Sequence, residues 1–133
     1  MIKFKILVFS WFLIQPFLGF SQEQKVISLN GNWEIVFDHN NQGADQNWHE
    51  NEVFQSLKDK KSISIPSSWE LIEQDYEGAA FYRYVFEVPK DWEDKIIRLQ
   101  FDAVNYLSEV WINDEVVGYH EGGFTPFEFR IDE

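Results

Sequence analysis

Apolar and polar residues alternate with a period of two in five segments of the chain. This period gives each strand one buried face and one wetter face, as in antiparallel sheets that are packed on one side. The sequence therefore predicts an all-β fold, an antiparallel β-sandwich. The five segments are residues 33–37, 62–65, 82–88, 97–103 and 127–131.

Helical patterning is weak by comparison. No stretch after residue 21 keeps a helical period for three turns. Residues 46–57 are compatible with one short helix, in which Trp48, Phe54 and Leu57 would face the sandwich. We expect such a helix to lie over a sheet as a cover.

The last third of the chain has the pattern of consecutive reversals. Asn113 and Asp114 stand between two apolar runs, where a type I′ hairpin turn needs two residues that tolerate positive φ. Gly122 and Gly123 predict a second, looser reversal. Pro126 then opens a strand, a position in which proline is tolerated.

Val110, Trp111 and Ile112 form an uninterrupted apolar run. A strand without alternation is typical of one that is buried on both faces. The run predicts that Trp111 lies in the centre of a sheet.

The N-terminal residues have the pattern of a signal peptide. Lys3 and Lys5 precede an apolar run, residues 6–14, that only a serine interrupts. Gly19 and Ser21 place small residues at the −3 and −1 positions of a cleavage site. The alternative is a membrane anchor, but the run is too short to span a bilayer.

These features divide the chain into a signal peptide, residues 1–21, and one domain, residues 22–133. We expect the protein to be exported, to the periplasm or outside the cell, with no membrane span after cleavage. No internal repeat or linker divides the remaining 112 residues.

Charge and composition exclude several partners. Loss of Lys3 and Lys5 with the signal leaves 9 basic residues against 23 acidic ones, a formal charge of −14. Such a charge disfavours binding to nucleic acid, whose phosphates would be repelled. The absence of cysteine excludes disulfides, a thiolate metal site and lipid attachment at a cysteine.

Seven short motifs follow one another along the chain. They are Leu29-Asn-Gly-Asn-Trp33, Asp38-x-x-Asn-x-Gly43 followed by Trp48, Ile65-Pro-Ser-Ser-Trp69, Tyr76-x-Gly78 to Tyr82-Arg83, Phe101-Asp-Ala-Val104, Val110-Trp-Ile-Asn113 and Gly122-Gly-Phe-Thr-Pro-Phe-Glu128. Their order and spacing resemble the N-terminal sugar-binding domain of glycoside hydrolase family 2, which includes β-galactosidases, β-mannosidases and β-glucuronidases. The last motif is most similar to the β-glucuronidase branch.

The subfamily stays open on these residues. Large β-galactosidases carry a longer insertion after the tryptophan motif and an Asp at the position of Gly122, and this chain has neither. Exported β-mannosidases, β-glucuronidases and other relatives all remain possible.

The resemblance implies a jelly-roll, galactose-binding-domain-like sandwich with at least one further strand after Ile131. The chain is therefore expected to be a C-terminally truncated fragment. In this family a separate barrel domain holds the catalytic carboxylates, and retaining enzymes need two of them about 5–5.5 Å apart. We expect no catalytic residue in this chain, no cofactor, and no activity of the chain alone.

The partners implied are a β-linked carbohydrate, the catalytic barrel and a second sandwich domain of a full-length enzyme. A stand-alone lectin-like module that binds glycans without hydrolysis is the alternative. Fold similarity alone does not decide between them.

Five residues are candidates for facing carbohydrate: Trp69, Tyr76, Glu77, His120 and Glu121. Sugars stack their apolar faces on aromatic rings, and both aromatic candidates follow or precede loop residues. The competing interpretation is that the aromatic pair is buried and that the polar residues are ordinary loop side chains.

No metal site is expected. The three histidines, His39, His49 and His120, lie too far apart in sequence to form a local ligand motif.

Overall fold

The computed structural model describes residues 24–132, so the predicted signal peptide lies outside the described residues. The described part contains seven strands, one α-helix and two short 3₁₀ turns, at Trp69–Leu71 and Lys90–Trp92. The other elements are β1 (Gly31–Asp38), α1 (Asn51–Ser56), β2 (Lys61–Ile65), β3 (Ala79–Arg83), β4 (Arg98–Phe101), β5 (Leu107–Ile112), β6 (Glu115–Glu121) and β7 (Phe127–Arg130). None of the described helices is long and apolar enough to cross a membrane.

The strands form antiparallel sheets with the orders β2-β1-β3, β4-β7 and β5-β6. β1 is the middle strand of the first sheet. Its N-terminal part pairs with β2, from Gly31↔Ile65 to Ile35↔Lys61. Its C-terminal part pairs with β3 up to Asp38↔Ala79. The predicted all-β, antiparallel class is confirmed.

The core is built on β1. Ile35, Val36 and Phe37 are all buried, although neighbouring residues of a strand point to opposite faces. Ile35 and Phe37 pack with Ile63 of β2 on one face. Burial of such side chains stabilises the fold by about 1.5–3 kcal/mol each. The sheet is therefore covered on both sides.

α1 covers the second face of this sheet. Phe54 is 2% exposed and is the buried residue of the helix, which confirms one short helix within residues 46–57. Arg83 of β3 lies over the Phe54 ring and donates to Asn51 Oδ1 at 2.6 Å. The same guanidinium pairs with Glu34 of β1 at 3.2 Å. The helix is thus tied to two strands.

Asp38 organises the loop that leaves β1. The residue is 4% exposed, and its carboxylate accepts hydrogen bonds from the backbone N–H groups of Gln42 and Gly43, at 2.9 and 2.7 Å. Gly43 is buried in this loop. A Cβ there would stand 2.9 Å from both Asp38 Oδ2 and the Trp48 ring, and closer still to the Phe81 ring.

The predicted hairpin between β5 and β6 is confirmed. Asn113 and Asp114 have φ values of 49° and 71°, as a type I′ turn requires. The Asp114 carboxylate also accepts a hydrogen bond from the Asn51 N–H at 2.9 Å. The turn is therefore attached to the start of α1.

Two predictions about strands are wrong. The segment 82–88 stays in a strand only as far as Arg83, because residues 84–88 have no partner strand in the described part. Trp111 does not lie in a central strand, since β5 pairs only with β6 among the described strands. Trp111 is half-buried and stacks on His49 and Phe81, with ring centroids 5.1 and 6.3 Å away.

The apolar run around Trp111 has a different cause. Trp111 covers Phe81 of the first sheet, whereas its neighbour Val110 is paired with Gly118. A Cβ on Gly118 would collide with the ring of Phe129 in β7. The hairpin therefore contacts a neighbour on each side without being central in a sheet.

Gly43→Ala tests the packing at the end of β1. We expect the change to lower the free energy of unfolding by about 1–3 kcal/mol, because an added methyl group overpacks a well-filled site. Urea unfolding of the chain measures this loss. Asp45→Ala, two residues away and exposed, serves as the control and should change stability by less than about 0.5 kcal/mol. Equal stability of the two variants would contradict the packing described for Gly43.

Candidate functional site

Four of the five candidate carbohydrate-facing residues form two pairs, and the fifth residue lies apart from both. Trp69 and Tyr76 lie together against the β1 sheet. His120 and Glu121 lie at the end of β6, beside the reversal made by the two glycines. Glu77 is exposed and stands between Tyr76 and Gly78.

Tyr76 is held by contacts on several sides. Its ring is 5.0 Å from the rings of both Phe37 and His39 and 5.8 Å from that of Trp69, always edge to face. The Tyr76 hydroxyl donates to Ala79 O at 2.7 Å. Desolvation by burial raises the pKa of this hydroxyl. These contacts give Tyr76 a packing role in the core.

Trp69 shares this role. It begins a 3₁₀ turn that Ser68 caps by accepting a hydrogen bond from the Glu70 N–H. Its ring packs against Phe37 and Tyr76, and it is half-buried. A role of Trp69 or Tyr76 in carbohydrate binding stays a prediction.

Glu77 has no side-chain hydrogen bond or ion pair within residues 24–132. It precedes Gly78, whose φ is 156° and where a Cβ would collide with the Tyr76 hydroxyl. The geometry therefore fixes the backbone beside Glu77 but leaves its carboxylate in solvent. Its contact with carbohydrate also stays a prediction.

The second group is part of a larger polar surface, the Gly-Gly loop cluster, formed by Asn105, Tyr106, His120, Glu121 and Thr125. Two loops meet there. The Gly122 N–H donates to Tyr106 O at 2.8 Å. A Cβ on Gly123 would stand 2.6 Å from Asn105 Oδ1. Glycine is therefore favoured at position 122 by its φ of 134° and at position 123 by the closeness of the Asn105 side chain.

The side chains of this cluster are positioned by direct contacts. The Tyr106 hydroxyl donates to Glu121 Oε1 at 2.7 Å. The His120 ring stacks on Phe127 with centroids 4.1 Å apart, and its Nε2 is 3.2 Å from Thr125 Oγ1. Stacking and this hydrogen bond hold the imidazole in one orientation.

The chemistry of the Gly-Gly loop cluster suits hydroxyl-rich ligands. Tyr106 is 59% exposed and offers a ring face, while the carboxylate of Glu121 and the imidazole of His120 offer an acceptor and a second hydrogen-bonding group. Aromatic faces beside convergent polar groups are the usual composition of small-molecule sites. The hydrogen bond to Glu121 raises the pKa of Tyr106.

Sequence reasoning missed three members of this cluster, Asn105, Tyr106 and Thr125. Tyr106 directly precedes β5, and the register pairs its neighbour Leu107 with Glu121. A β-bulge between Val110 and Trp111 shifts this register by one residue, so the position of the two-residue turn alone does not predict the pairing of Leu107 with Glu121.

Within residues 24–132, no three His, Cys, Asp or Glu side chains are grouped closely enough to hold a metal ion.

Comparison with known proteins shows what the chain is similar to. Residues 26–133 match the family model described as glycosyl hydrolases family 2, sugar binding domain. A β-glucuronidase of Paenibacillus borealis is 31% identical over 113 residues, which cover 81% of this chain and 18% of that protein. A β-galactosidase of Thermoanaerobacterium thermosulfurigenes is 27% identical over 114 residues, 83% of this chain and 15% of that protein.

Solved structures show the same likeness. The crystal structure of Ruminococcus gnavus β-glucuronidase superposes with a TM-score of 0.72 at 31% identity, over 80% of this chain and 18% of that one. This similarity confirms the predicted β-sandwich. The chain spans less than a fifth of the length of each of these three proteins.

Glu121→Gln tests the arrangement of the Gly-Gly loop cluster. The neutral phenol of Tyr106 donates to the carboxylate, and its ionised form would lose that bond and be repelled. The change should therefore move the pKa of Tyr106 down toward its ordinary value. NMR of ¹³Cζ-labelled tyrosine, with Tyr106→Phe to assign the signal, follows the titration. Glu77→Gln, which removes a carboxylate in solvent, should leave it unchanged. An unchanged Tyr106 titration in Glu121→Gln would show that the pair is not formed.

Proposed function

The chain belongs to glycosyl hydrolase family 2, and from that premise we propose that it is the N-terminal carbohydrate-binding domain of an exported β-glycosidase. The observation that carries this proposal is the match to the family's sugar binding domain over residues 26–133. Its relatives are named as β-glucuronidases and β-galactosidases, which hydrolyse β-linked glycosides. The subfamily is left open by this mixture of names.

The catalytic step belongs to another part of the full-length enzyme. A retaining β-glycosidase needs two carboxyl groups held about 5–5.5 Å apart, one as nucleophile and one as acid/base. Several carboxylates of this chain are engaged in ion pairs instead, Glu34 with Arg83 and Glu73 with Lys61. The domain therefore contributes binding and shape, and the barrel contributes the chemistry.

The Gly-Gly loop cluster is the surface best suited to form one wall of the sugar pocket. It combines an exposed ring, Tyr106, with the polar groups of His120 and Glu121. Loops that rigid strands position are where binding residues are commonly found. Here β6 and β7 flank the loop.

An apolar surface next to this cluster supports contact with further domains of the enzyme. Leu107 and Tyr119 are 67% and 77% exposed, and the pairings Leu107↔Glu121 and Glu109↔Tyr119 place them on the same face of the hairpin. Phe124 is 94% exposed. Exposed apolar patches of this kind mark interaction surfaces. The catalytic barrel and the second sandwich are the partners that this surface would contact.

The proposed export rests on the signal-peptide pattern of the first 21 residues. Cleavage after Ser21 would give a mature protein that begins at Gln22, in the periplasm or outside the cell. Mass spectrometry of the exported protein should find this N-terminus within one or two residues. Recovery of an intact Met1 or Ile2 would contradict the export proposal.

The chain alone should hydrolyse no glycoside. Purified protein is incubated with nitrophenyl β-glucuronide and nitrophenyl β-galactoside, and release of nitrophenol is measured. We expect none, whereas a gene product extended through a barrel domain should turn over at least one of the two. Turnover by the chain that is lost on changing Glu70, Glu77 or Glu121 would contradict the proposal. Binding of glycans without activity of any extended product would favour the lectin-like module.

A further inference from the structure

A cleft of about 470 Å³ lies at the C-terminal end of β1. We name it the β1 cleft, and it shares no lining residue with the Gly-Gly loop cluster. It exists because β2 pairs with β1 only as far as Ile35↔Lys61. Beyond Ile35, this edge of β1 has no partner strand within residues 24–132. The chain that connects α1 to β2 crosses the gap and closes one side of the cleft.

Part of the lining of the β1 cleft is apolar. It consists of the buried Val36 and Phe37 and the half-buried Trp48 and Leu57, and Trp48 is the aromatic ring among them that is open to a ligand. Trp48 is fixed by its contact with Phe81, whose ring centroid is 5.6 Å away, and by a hydrogen bond from its Nε1 to Gln46 at 3.1 Å. The aromatic surface is therefore rigid.

The rim of the cleft is polar and varied. His39 and Asn40 border it at the end of β1, and Lys58 and Asp59 border it from the connection to β2. Asn40 and Asp59 are exposed, and their side chains make no hydrogen bond with another side chain or backbone group within residues 24–132. An amide and a carboxylate without protein partners are available to a ligand.

Glu73 completes the rim. It forms an ion pair with Lys61, and the hydrogen bond from this lysine lowers the pKa of the Glu73 carboxyl. Glu73 is thus an ionised acceptor at neutral pH. Among the lining residues, the lysines Lys58 and Lys61 balance the acids Asp59 and Glu73, although the whole chain has a formal charge of −12.

We propose that the β1 cleft is a second carbohydrate site, which binds one pyranose ring with its apolar face against the Trp48 ring and its hydroxyls on the polar rim. The volume lies in the range of about 300–1,000 Å³ usual for small-molecule sites. The Asn40 amide can donate to or accept from a sugar hydroxyl, and the carboxylates of the rim can accept from one. This proposal rests on the proposed function in one respect, which is the choice of sugar as the ligand class.

Balanced charge around the cleft admits both neutral and acidic sugars. A uronate would meet two lysines as well as two carboxylates, so long-range repulsion by the acidic chain is offset locally. Methyl β-glucopyranoside and methyl β-glucuronide are therefore the two probes that distinguish a neutral ligand from a uronate.

The test is an NMR titration of the ¹⁵N-labelled chain with each probe. Amide signals of residues 39–42 and 57–61 should shift with at least one probe and saturate together. In Asn40→Ala and in Asp59→Ala, each of which removes one hydrogen-bonding group, the Kd from these signals should rise about fivefold or more. Asp45→Ala removes an exposed acid outside the cleft and is the matched control, expected to leave the Kd unchanged.

Glu121→Gln separates this site from the Gly-Gly loop cluster and should also leave the Kd unchanged. A different outcome is that Glu121→Gln weakens sugar binding, whereas the two rim variants do not. This outcome would overturn the proposal for the β1 cleft and leave the proposed function intact. Absence of shifts in residues 39–42 and 57–61 with both probes would likewise overturn it. Urea unfolding shows whether each variant is folded. If one of the two rim variants does not fold, the other still tests the proposal.

Discussion

Everything in this domain depends on the burial of β1 on both faces. Ile35, Val36 and Phe37 are consecutive and buried, so the strand needs cover above and below. The loop aromatics Trp69 and Tyr76 cover one face of the sheet, and α1 together with Trp48 covers the other. Because few side chains within residues 24–132 are fully buried, each contributes a large share of a stability that is small in any domain.

The end of β1 connects this core to function. Asp38 turns the chain by accepting two backbone hydrogen bonds, and the loop that follows brings Trp48 against the sheet. That arrangement creates the β1 cleft at one place, while the reversal at Gly122 and Gly123 creates the polar loop cluster at another. The sheet supplies rigidity, and the two loops would supply the proposed binding chemistry.

The sequence pattern predicted the parts of the fold that local chemistry controls. Period-two alternation located β1, and the tolerance of Asn113 and Asp114 for positive φ located the hairpin turn. The pattern failed where a neighbouring strand or ring determines the structure. Residues 84–88 alternate but meet no partner strand in the described part. Trp111 is covered by Phe81 of the first sheet and not by strands on both sides. Alternation of apolar and polar residues shows which face of a strand is buried, but it does not show which strands pair with it.

For the same reason, the sequence pointed to only some members of the Gly-Gly loop cluster. His120 and Glu121 became candidates because they adjoin two glycines, which are visible in the sequence, and their contact with carbohydrate stays a prediction. Tyr106 was missed, since its bond to Glu121 depends on the register between β5 and β6. Trp69 and Tyr76 were proposed from their loop positions, yet their rings fold back onto Phe37. Only three-dimensional packing distinguishes a ring on a rim from a ring in a core.

Native-state hydrogen exchange measures the central claim, that β1 is the element on which the fold depends. The backbone amides of residues 35–37 that bond to β2 or β3 should exchange slowest in the chain, at the rate set by global unfolding. Amides of β5 and β6, in a two-stranded sheet among the described residues, should exchange faster through local opening. Slowest exchange in β5 and β6, with early exchange at residues 35–37, would contradict this account.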